Sequence, residues 1–291
     1  MKVLVTGAEG FIGSSLMVDL IKRGFDVDQY EWDPSIGRMP DLDQGYDWVF
    51  HLGAISSTTE KDVEKIMAQN YEFSYRLLME CDRLGINLQY ASSASVYGDS
   101  EFDTELGYSE ECQVAPKSPY AWSKYLFDRL VIKSIPHLKI KVYGFRYFNV
   151  WGKIEGAADE SHKGDQASLW HKWNKPGPHE IFIGSSEISR DFVHVEDLCN
   201  IHNIFTELNE PPESGIYNIG TGKPVSIGML AGAFSEHKKT IFKEVEMPKE
   251  LESQYQYVTK SNSIKLHKVL KHYTFKNILS DVMGNPAMQN E

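Results

Sequence analysis

The chain has 291 residues, 41% hydrophobic and 12% aromatic, enough to bury a large core in one α/β domain or in one domain with an appended lobe. Thirty Lys and Arg against 41 Asp and Glu give a formal charge of -11 with no long basic run, which excludes an extended nucleic-acid or anionic-membrane surface but leaves room for a local phosphate pocket. Cys81, Cys112 and Cys199 show no Cys-x-x-Cys spacing, so neither a disulfide scaffold nor a metal site is expected. With no basic and apolar leader and no apolar run near the roughly 20 residues that cross a bilayer, the reading is a cytoplasmic protein without a membrane partner.

Residues 2–6, Lys-Val-Leu-Val-Thr, form a short apolar run, and residues 11–23 carry Ile12, Leu16, Leu20 and Ile21 at helical spacing, so the opening reads strand, turn, helix. Further strands are expected at 26–31, 48–52, 88–92 and 141–146, with helices at 70–84 and 120–132. That alternation predicts an α/β fold, a Rossmann-type doubly wound parallel sheet with helices on both faces. After about residue 149 the pattern gives way to longer loops. The expected division is therefore a dinucleotide-binding domain at 1–150, supplemented from 185–225, and a smaller C-terminal substrate lobe over 151–291.

The turn after the first strand is Gly7-Ala-Glu-Gly10-Phe11-Ile12-Gly13. Glycines there permit a tight turn and a close approach to a pyrophosphate, while the following helix supplies free amides and a favourable dipole. Glu31, at the end of the second strand, suits the two ribose hydroxyls of NAD and repels a 2'-phosphate; Arg38 lies near enough in sequence to neutralise one. Leu52 to Ser56 falls at a strand end, where this fold places ligand loops, and Asn70 is a candidate for a hydrogen bond to the cofactor or a polar surface residue. Tyr120 and Lys124 stand four apart and share one helix face; a lysine cation there favours the phenolate of a side chain whose free pKa is about 10.

Taken in order, the glycine loop, Ser93 in Ala91-Ser-Ser-Ala-Ser-Val-Tyr-Gly98, and Tyr120-Ala-Trp-Ser-Lys124 resemble the extended short-chain dehydrogenase/reductase family of nucleotide-sugar epimerases and dehydratases. Gly53-Ala-Ile-Ser-Ser-Thr-Thr-Glu60, Gly144-Phe-Arg-Tyr-Phe-Asn-Val-Trp-Gly152, His162-Lys-Gly164, Arg190-Asp-Phe-Val193 and Tyr217-Asn-Ile-Gly-Thr-Gly222 extend the likeness to about Thr259. The Ser-Ser-Thr-Thr-Glu and His-Lys-Gly pieces are similar to the ADP-glyceromanno-heptose 6-epimerase subfamily. Residues 31–48 are short for this family, which usually fits a helix and a strand there. Asp41-Leu42 then either takes the adenine edge or is a solvated turn.

The resemblance implies that Tyr120 is the base, Lys124 lowers its pKa and holds the ribose, and Ser93 stabilises the reacting oxygen. It implies Lys163 as a second acid/base on the opposite face of a transient ketone. Gly7, Gly10, Phe11, Ile12, Gly13, Glu31, Trp32, Arg38, Leu52, Gly53, Ala54, Ser56, Asn70, Lys124 and Val150 would hold the cofactor, implied to be NADP, with NAD left open by Glu31. Asn149 would lie near the sugar, with Phe182, Ile183, Gly184, Ser185 and Arg190 around a nucleotide diphosphate and Tyr255 on the far side. His171, among Trp170 and Trp173, reads as a substrate ligand or as a packed residue. Dehydratases of the family carry an Asp-Glu pair after the catalytic serine or threonine, where this chain has Ala94 and Ser95. The leading expectation is a nucleotide-diphosphoheptose 6-epimerase that forms a homo-oligomer; a UDP-hexose 4-epimerase or nucleotide-sugar reductase, and a non-catalytic dinucleotide-binding protein, remain as alternatives.

Overall fold

The computed structural model describes residues 1–33, 37–57, 60–98, 100–101, 103–252 and 255–284, with the side chains of residues 162, 165, 166 and 250 left aside. Thr58 and Thr59 of the Ser-Ser-Thr-Thr-Glu motif, and the side chains of His162 and Asp165, therefore lie outside the described residues. In chain order the first half comprises β1 (Lys2–Thr6), α1 (Phe11–Lys22), β2 (Asp26–Tyr30), β3 (Trp48–His51) and α2 (Val63–Ile66). A π-helical segment, Met67–Glu72, joins α2 to α3 (Phe73–Leu84); β4 (Asn87–Ser93), α4 (Pro119–Ser134) and β5 (Val142–Tyr147) follow. The second half runs β6 (Asn149–Trp151), α5 (Leu169–Trp173), β7 (Pro178–Phe182), β8 (Ser189–Arg190), β9 (Phe192–His194) and α6 (Val195–Glu207). It ends with β10 (Gly215–Ile219), β11 (Val225–Ser226), α7 (Ile227–Lys238), β12 (Ile241–Val245), α8 (Lys249–Glu252), α9 (Ile264–Leu270) and α10 (Ile278–Met283).

Six strands form one parallel sheet in the order β10-β5-β4-β3-β1-β2. Because β3, β5 and β10 are buried along their whole length, both faces must be covered, as parallel strands require. Side chains alternate between the faces. Val3 and Val5 meet Leu16 and Leu20 of α1 and Leu198 and Phe205 of α6, whereas Leu4 and Val49 meet Leu77 and Leu78 of α3 and Phe127 and Val131 of α4. Each such side chain contributes roughly 1.5–3 kcal/mol by leaving water. Helix α4 starts where its sequence directs: Ser118 Oγ accepts the Ala121 amide at 3.2 Å, and Pro119 occupies the first turn, where a missing N–H costs nothing.

Between β2 and β3 the described residues form no helix and no strand. Leu42, only 3% exposed, packs with Tyr46 and Met39 onto the α3-side core, so a short loop covers the sheet face that a helix would otherwise cover. The Asp41 carboxylate accepts the Asp43 amide at 3.1 Å and the Gln44 side chain at 2.6 Å. Leu42 thus points into the core and Asp41 closes its own turn, a geometry that favours the turn over the adenine edge.

In the sheet β1 lies beside β3, and the chain leaves the two in opposite directions, toward β2 and toward β4. The crevice at their carboxyl ends is the switch point at which doubly wound sheets bind ligands. The second half returns β10 to this sheet and packs α6 and α9 on its face; much of what remains builds a lobe in which β7 pairs with β12. Its core joins Trp173, Leu230, Phe234 and Ile278, with Trp173 edge-on to Phe234 at 5.5 Å and to Phe242 at 4.8 Å. Among the described residues no helix is long and apolar enough to cross a membrane.

Candidate active site

At the switch point the glycine loop packs directly against the loop after β3. A Cβ on Gly7 (φ 71°) would fall 2.4 Å from the Gly53 nitrogen, and one on Gly13 would fall 1.9 Å from the Gly7 carbonyl oxygen, so internal packing alone demands glycine at both. Gly10 differs. A Cβ there would meet only the Gly7 oxygen, at 3.3 Å, and the residue caps α1 without offering a side chain. With no acidic residue in its first turn, α1 presents uncapped amides at Phe11, Ile12 and Gly13, which suits a dinucleotide pyrophosphate. The Phe11 ring is itself buried in the core, and Ile12 and Val150 pack against the same cluster. Leu52 donates its amide to Thr6 O at 3.1 Å, fixing the start of the second ligand loop; Ala54 is half-buried and Ser56 exposed.

Glu31 Oε1 accepts the Glu9 amide at 2.7 Å, so this carboxylate braces the glycine loop. Burial pushes its pKa up, against the lowering effect of the backbone hydrogen bonds. Trp32 is half-buried against the α3-side core, and the Arg38 side chain is exposed while its carbonyl accepts the Tyr30 hydroxyl.

Ser93 ends β4 and Tyr120 opens α4, close enough for the serine hydroxyl to act on the phenol's pKa. Ser93 Oγ also accepts the Ser95 amide at 3.2 Å. Lys124 is buried, donates Nζ to Ala91 O at 2.8 Å, and stands 6.0 Å from the centre of the Tyr120 ring. Burial lowers its pKa from 10.5 to about 8, and the Asp128 carboxylate opposes that fall. Tyr120 corrects an expectation. Its pKa is raised above 10.0, first by burial; the Ser93 hydrogen bond lowers it, and Asp128 raises it further. Withdrawal from water penalises the phenolate, and the ammonium expected to favour it is anchored on a carbonyl.

Beside Ser93 opens a cavity of about 370 Å³, lined by Ser93, Asn149, Arg190 and Tyr255 together with Lys117 and Gln256; Tyr120 lies outside the lining, between the lining residues Ser118 and Ala121. Ala94 and Ser95 line it as well. Arg190 Nη1 donates to the Ser189 and Tyr257 carbonyls at 2.9 and 3.1 Å, and its guanidinium lies 5.0 Å over the Tyr255 ring. Phe182 reaches the site only through the edge of Tyr255, at 5.8 Å. Ile183 is exposed, Gly184 is left-handed (φ 80°) and Ser185 is buried; all three lie outside the lining.

A glycine-cradled crevice, a sugar-sized cavity with a serine in its wall and a tyrosine adjoining that lining agree with the profile of the NAD dependent epimerase/dehydratase family, which matches residues 3–220. The chain belongs to that family. It is 35% identical over 312 aligned positions, 96% of this chain and 95% of the relative, to the ADP-L-glycero-D-manno-heptose-6-epimerase of Brachyspira hyodysenteriae. Its fold is similar to the crystal structure of the Helicobacter pylori ADP-L-glycero-D-manno-heptose-6-epimerase (TM-score 0.81, 21% identity, 99% of this chain and 96% of that one). It is also similar to the Thermus thermophilus UDP-glucose 4-epimerase in complex with NAD (TM-score 0.78, 22% identity, 97% of each chain).

Two candidates in this epimerase/dehydratase chain sit elsewhere than expected. Asn70 is 1% exposed, and its carboxamide is spent inside: Oδ1 accepts the Ile55 amide at 2.8 Å, and Nδ2 donates to Ile55 O at 3.0 Å and to Ser123 Oγ at 3.1 Å. From the π-helical segment it clamps the loop after β3 to α4. Lys163 pairs with Glu160 at 3.7 Å and lies 5.5 Å from the Phe11 ring, outside the lining of the Ser93 cavity. His171 is half-buried and lines a second cavity, of about 560 Å³, with Phe11, Glu160 and Trp170, away from Ser93. Tyr147, Lys117, Gln256 and Thr259 line the cavity and were not foreseen; only Tyr147 had a signal, its place in the Arg-Tyr-Phe-Asn run.

Proposed function

We propose that the protein is a nucleotide-diphosphoheptose 6-epimerase that inverts a sugar carbinol through a transient ketone with enzyme-bound NADP. The observation that carries this reading is the cavity wall in which Ser93 is followed by Ala94 and Ser95, where a dehydratase needs an acid and a base, with Tyr120 next to the lining residue Ala121 on α4. Neither side chain can transfer a proton at neutral pH, so elimination of water has no catalyst here. The heptose follows from the 35% identical relative that spans nearly the whole chain.

When bound, the nicotinamide dinucleotide supplies an acceptor that returns its hydride to the same carbon. Gly7, Gly10, Gly13 and the α1 amides would hold its pyrophosphate, with Leu52, Gly53, Ala54 and Ser56 lining the crevice and Val150 beyond it. Tyr120 takes the carbinol proton, and Ser93 hydrogen-bonds the reacting oxygen and stabilises its charge. Lys124, anchored on the Ala91 carbonyl, would hold the cofactor ribose. Asn149 orients the sugar and Arg190 faces the diphosphate, for which a planar fork is suited. Phe182, Ile183, Gly184 and Ser185 act from behind Tyr255. Lys163 is the proposed acid/base for the opposite face of the ketone, reached from its station beside Phe11.

Incubation with ADP-glyceromanno-heptose and, separately, UDP-glucose, followed by NMR of the sugar ring, tests this reading. Inversion at heptose C6 supports it; inversion at hexose C4, or a protein that binds cofactor and reduces none of it with either sugar, refutes it. Fluorescence titration with NADPH and NADH decides the cofactor, Arg38 being the residue expected to favour the 2'-phosphate and Glu31 the one that opposes it. The cofactor is assigned to residues 1–150 with support from 185–225, and the sugar to the lobe. Free thiols at Cys81, Cys112 and Cys199 fit the cytoplasm. The exposed apolar residues Tyr75 and Met79 on α3 and Trp122 and Leu126 on α4 give a homo-oligomer its interface; light scattering that finds only monomer, unaltered by Trp122→Glu, rules it out.

A further inference from the structure

We infer that Asp128 is a positioning residue for the catalytic pair, a buried carboxylate that clamps the ends of β4 and β5 to α4 and holds Lys124 in its ammonium form; this rests on the roles given above to Tyr120 and Lys124. Tyr120, Lys124 and Asp128 follow one another at intervals of four and share one face of α4. Asp128 is fully buried. Its Oδ1 accepts the Tyr90 hydroxyl at 3.0 Å, and its Oδ2 accepts Ser92 Oγ and Arg146 Nε, each at 2.9 Å. Ser92 immediately precedes Ser93, and Arg146 immediately precedes Tyr147 of the cavity lining. One side chain thus ties both strand ends that carry site residues to the helix that carries the phenol.

The charges point the same way. Lys124 is faced by Tyr120 and Asp128 from its own helix, by the Ala91 carbonyl from β4 and by His51 from β3, a ring that burial keeps neutral with a pKa of about 3. Arg146, from β5, binds the same carboxylate and is held in turn by the Tyr97 hydroxyl at 3.1 Å. Arg146 thus pairs directly with Asp128, and Lys124 lies one helical turn from the same carboxylate. Without Asp128, Lys124 would lose the one carboxylate that acts on it, whereas Arg146 would keep Glu110 nearby, and the lysine, being the one able to lose its proton, would do so. Asp128 also disfavours a phenolate on Tyr120 directly, an effect that the guanidinium bound to it weakens.

The test is a pH titration of Lys124 by NMR in the full chain with labelled lysine, the resonance being assigned by its loss in Lys124→Met. It needs no sugar, so it can fail while the heptose reading stands, and the reverse. Asp128→Asn is expected to move the Lys124 midpoint down by about one pH unit or more, and Asp128→Glu to restore it; an unmoved midpoint in folded Asp128→Asn overturns the proposal. If Asp128→Asn does not fold, the parent protein decides the charge: Lys124 protonated at pH 7 supports the proposal, and Lys124 neutral there overturns it. Ser92→Ala tests the clamp, with turnover on the substrate found above expected to fall about five-fold at unchanged cofactor affinity, the equivalent of one hydrogen bond. Unchanged turnover overturns the clamp.

Discussion

Lys124→Met should make the protein more stable while abolishing its chemistry. In the folded chain burial lowers the lysine pKa from 10.5 to about 8, so the native state binds this proton less tightly than the unfolded state does. That difference penalises folding by about 3 kcal/mol at pH 7, because each pH unit is worth about 1.4 kcal/mol. Methionine removes the penalty and fills much of the same volume. It also leaves the Ala91 carbonyl without the donor now 2.8 Å away, a loss of about 1 kcal/mol. The net expectation is a gain of about 2 kcal/mol in chemical denaturation at pH 7. The sign of the pH dependence follows: the penalty is complete below pH 8 and disappears as pH rises from about 8 to 10.5, so the variant's advantage should shrink to nothing over that window. A variant less stable than the parent at pH 7, or an advantage that persists at pH 10.5, would show that Lys124 is not the strained cation described here.

Tyr120→Phe should lower turnover by orders of magnitude while cofactor binding, followed by fluorescence, stays within a few-fold; unchanged turnover removes the phenol from the mechanism. Gly13→Ala should cost cofactor affinity and stability together, since its Cβ would stand 1.9 Å from the Gly7 oxygen; Gly10→Ala, meeting one atom at 3.3 Å, should lose affinity with a far smaller loss in denaturant midpoint. Acid should destabilise the fold early. His51 and His202 are buried neutral, each with its pKa lowered from 6.5 to about 3, so stability is complete above pH 6.5 and falls as pH drops toward 3, by about 4 kcal/mol for the pair at pH 5. Equal denaturant midpoints at pH 7 and pH 5 would refute this. Lys163→Met should bind cofactor normally yet fail to invert the sugar; if it instead loses cofactor affinity, its station beside Phe11 serves the phosphates.

The sequence alone determined the doubly wound sheet, the phosphate turn and the serine–tyrosine–lysine order. Each of these is a local matter: the two-residue period of a strand, the 3.6-residue period of a helix, and the glycines that only a tight turn requires. Tertiary structure decided the rest. Nothing in the spacing of Asn70 shows that it is buried in a π-helical segment, or that Leu42 closes the core where a helix is missing. Helical spacing placed an ammonium beside the Tyr120 phenol, but only the packed interior shows that burial raises the phenol's pKa and that Asp128, one turn beyond Lys124, takes its partners from two strands. Gln256 shares a cavity wall with Ser93 across more than a hundred residues of chain, a proximity no local pattern encodes. A pKa and a cavity depend on everything within a few ångströms in space, and the chain fixes that neighbourhood only once it has folded.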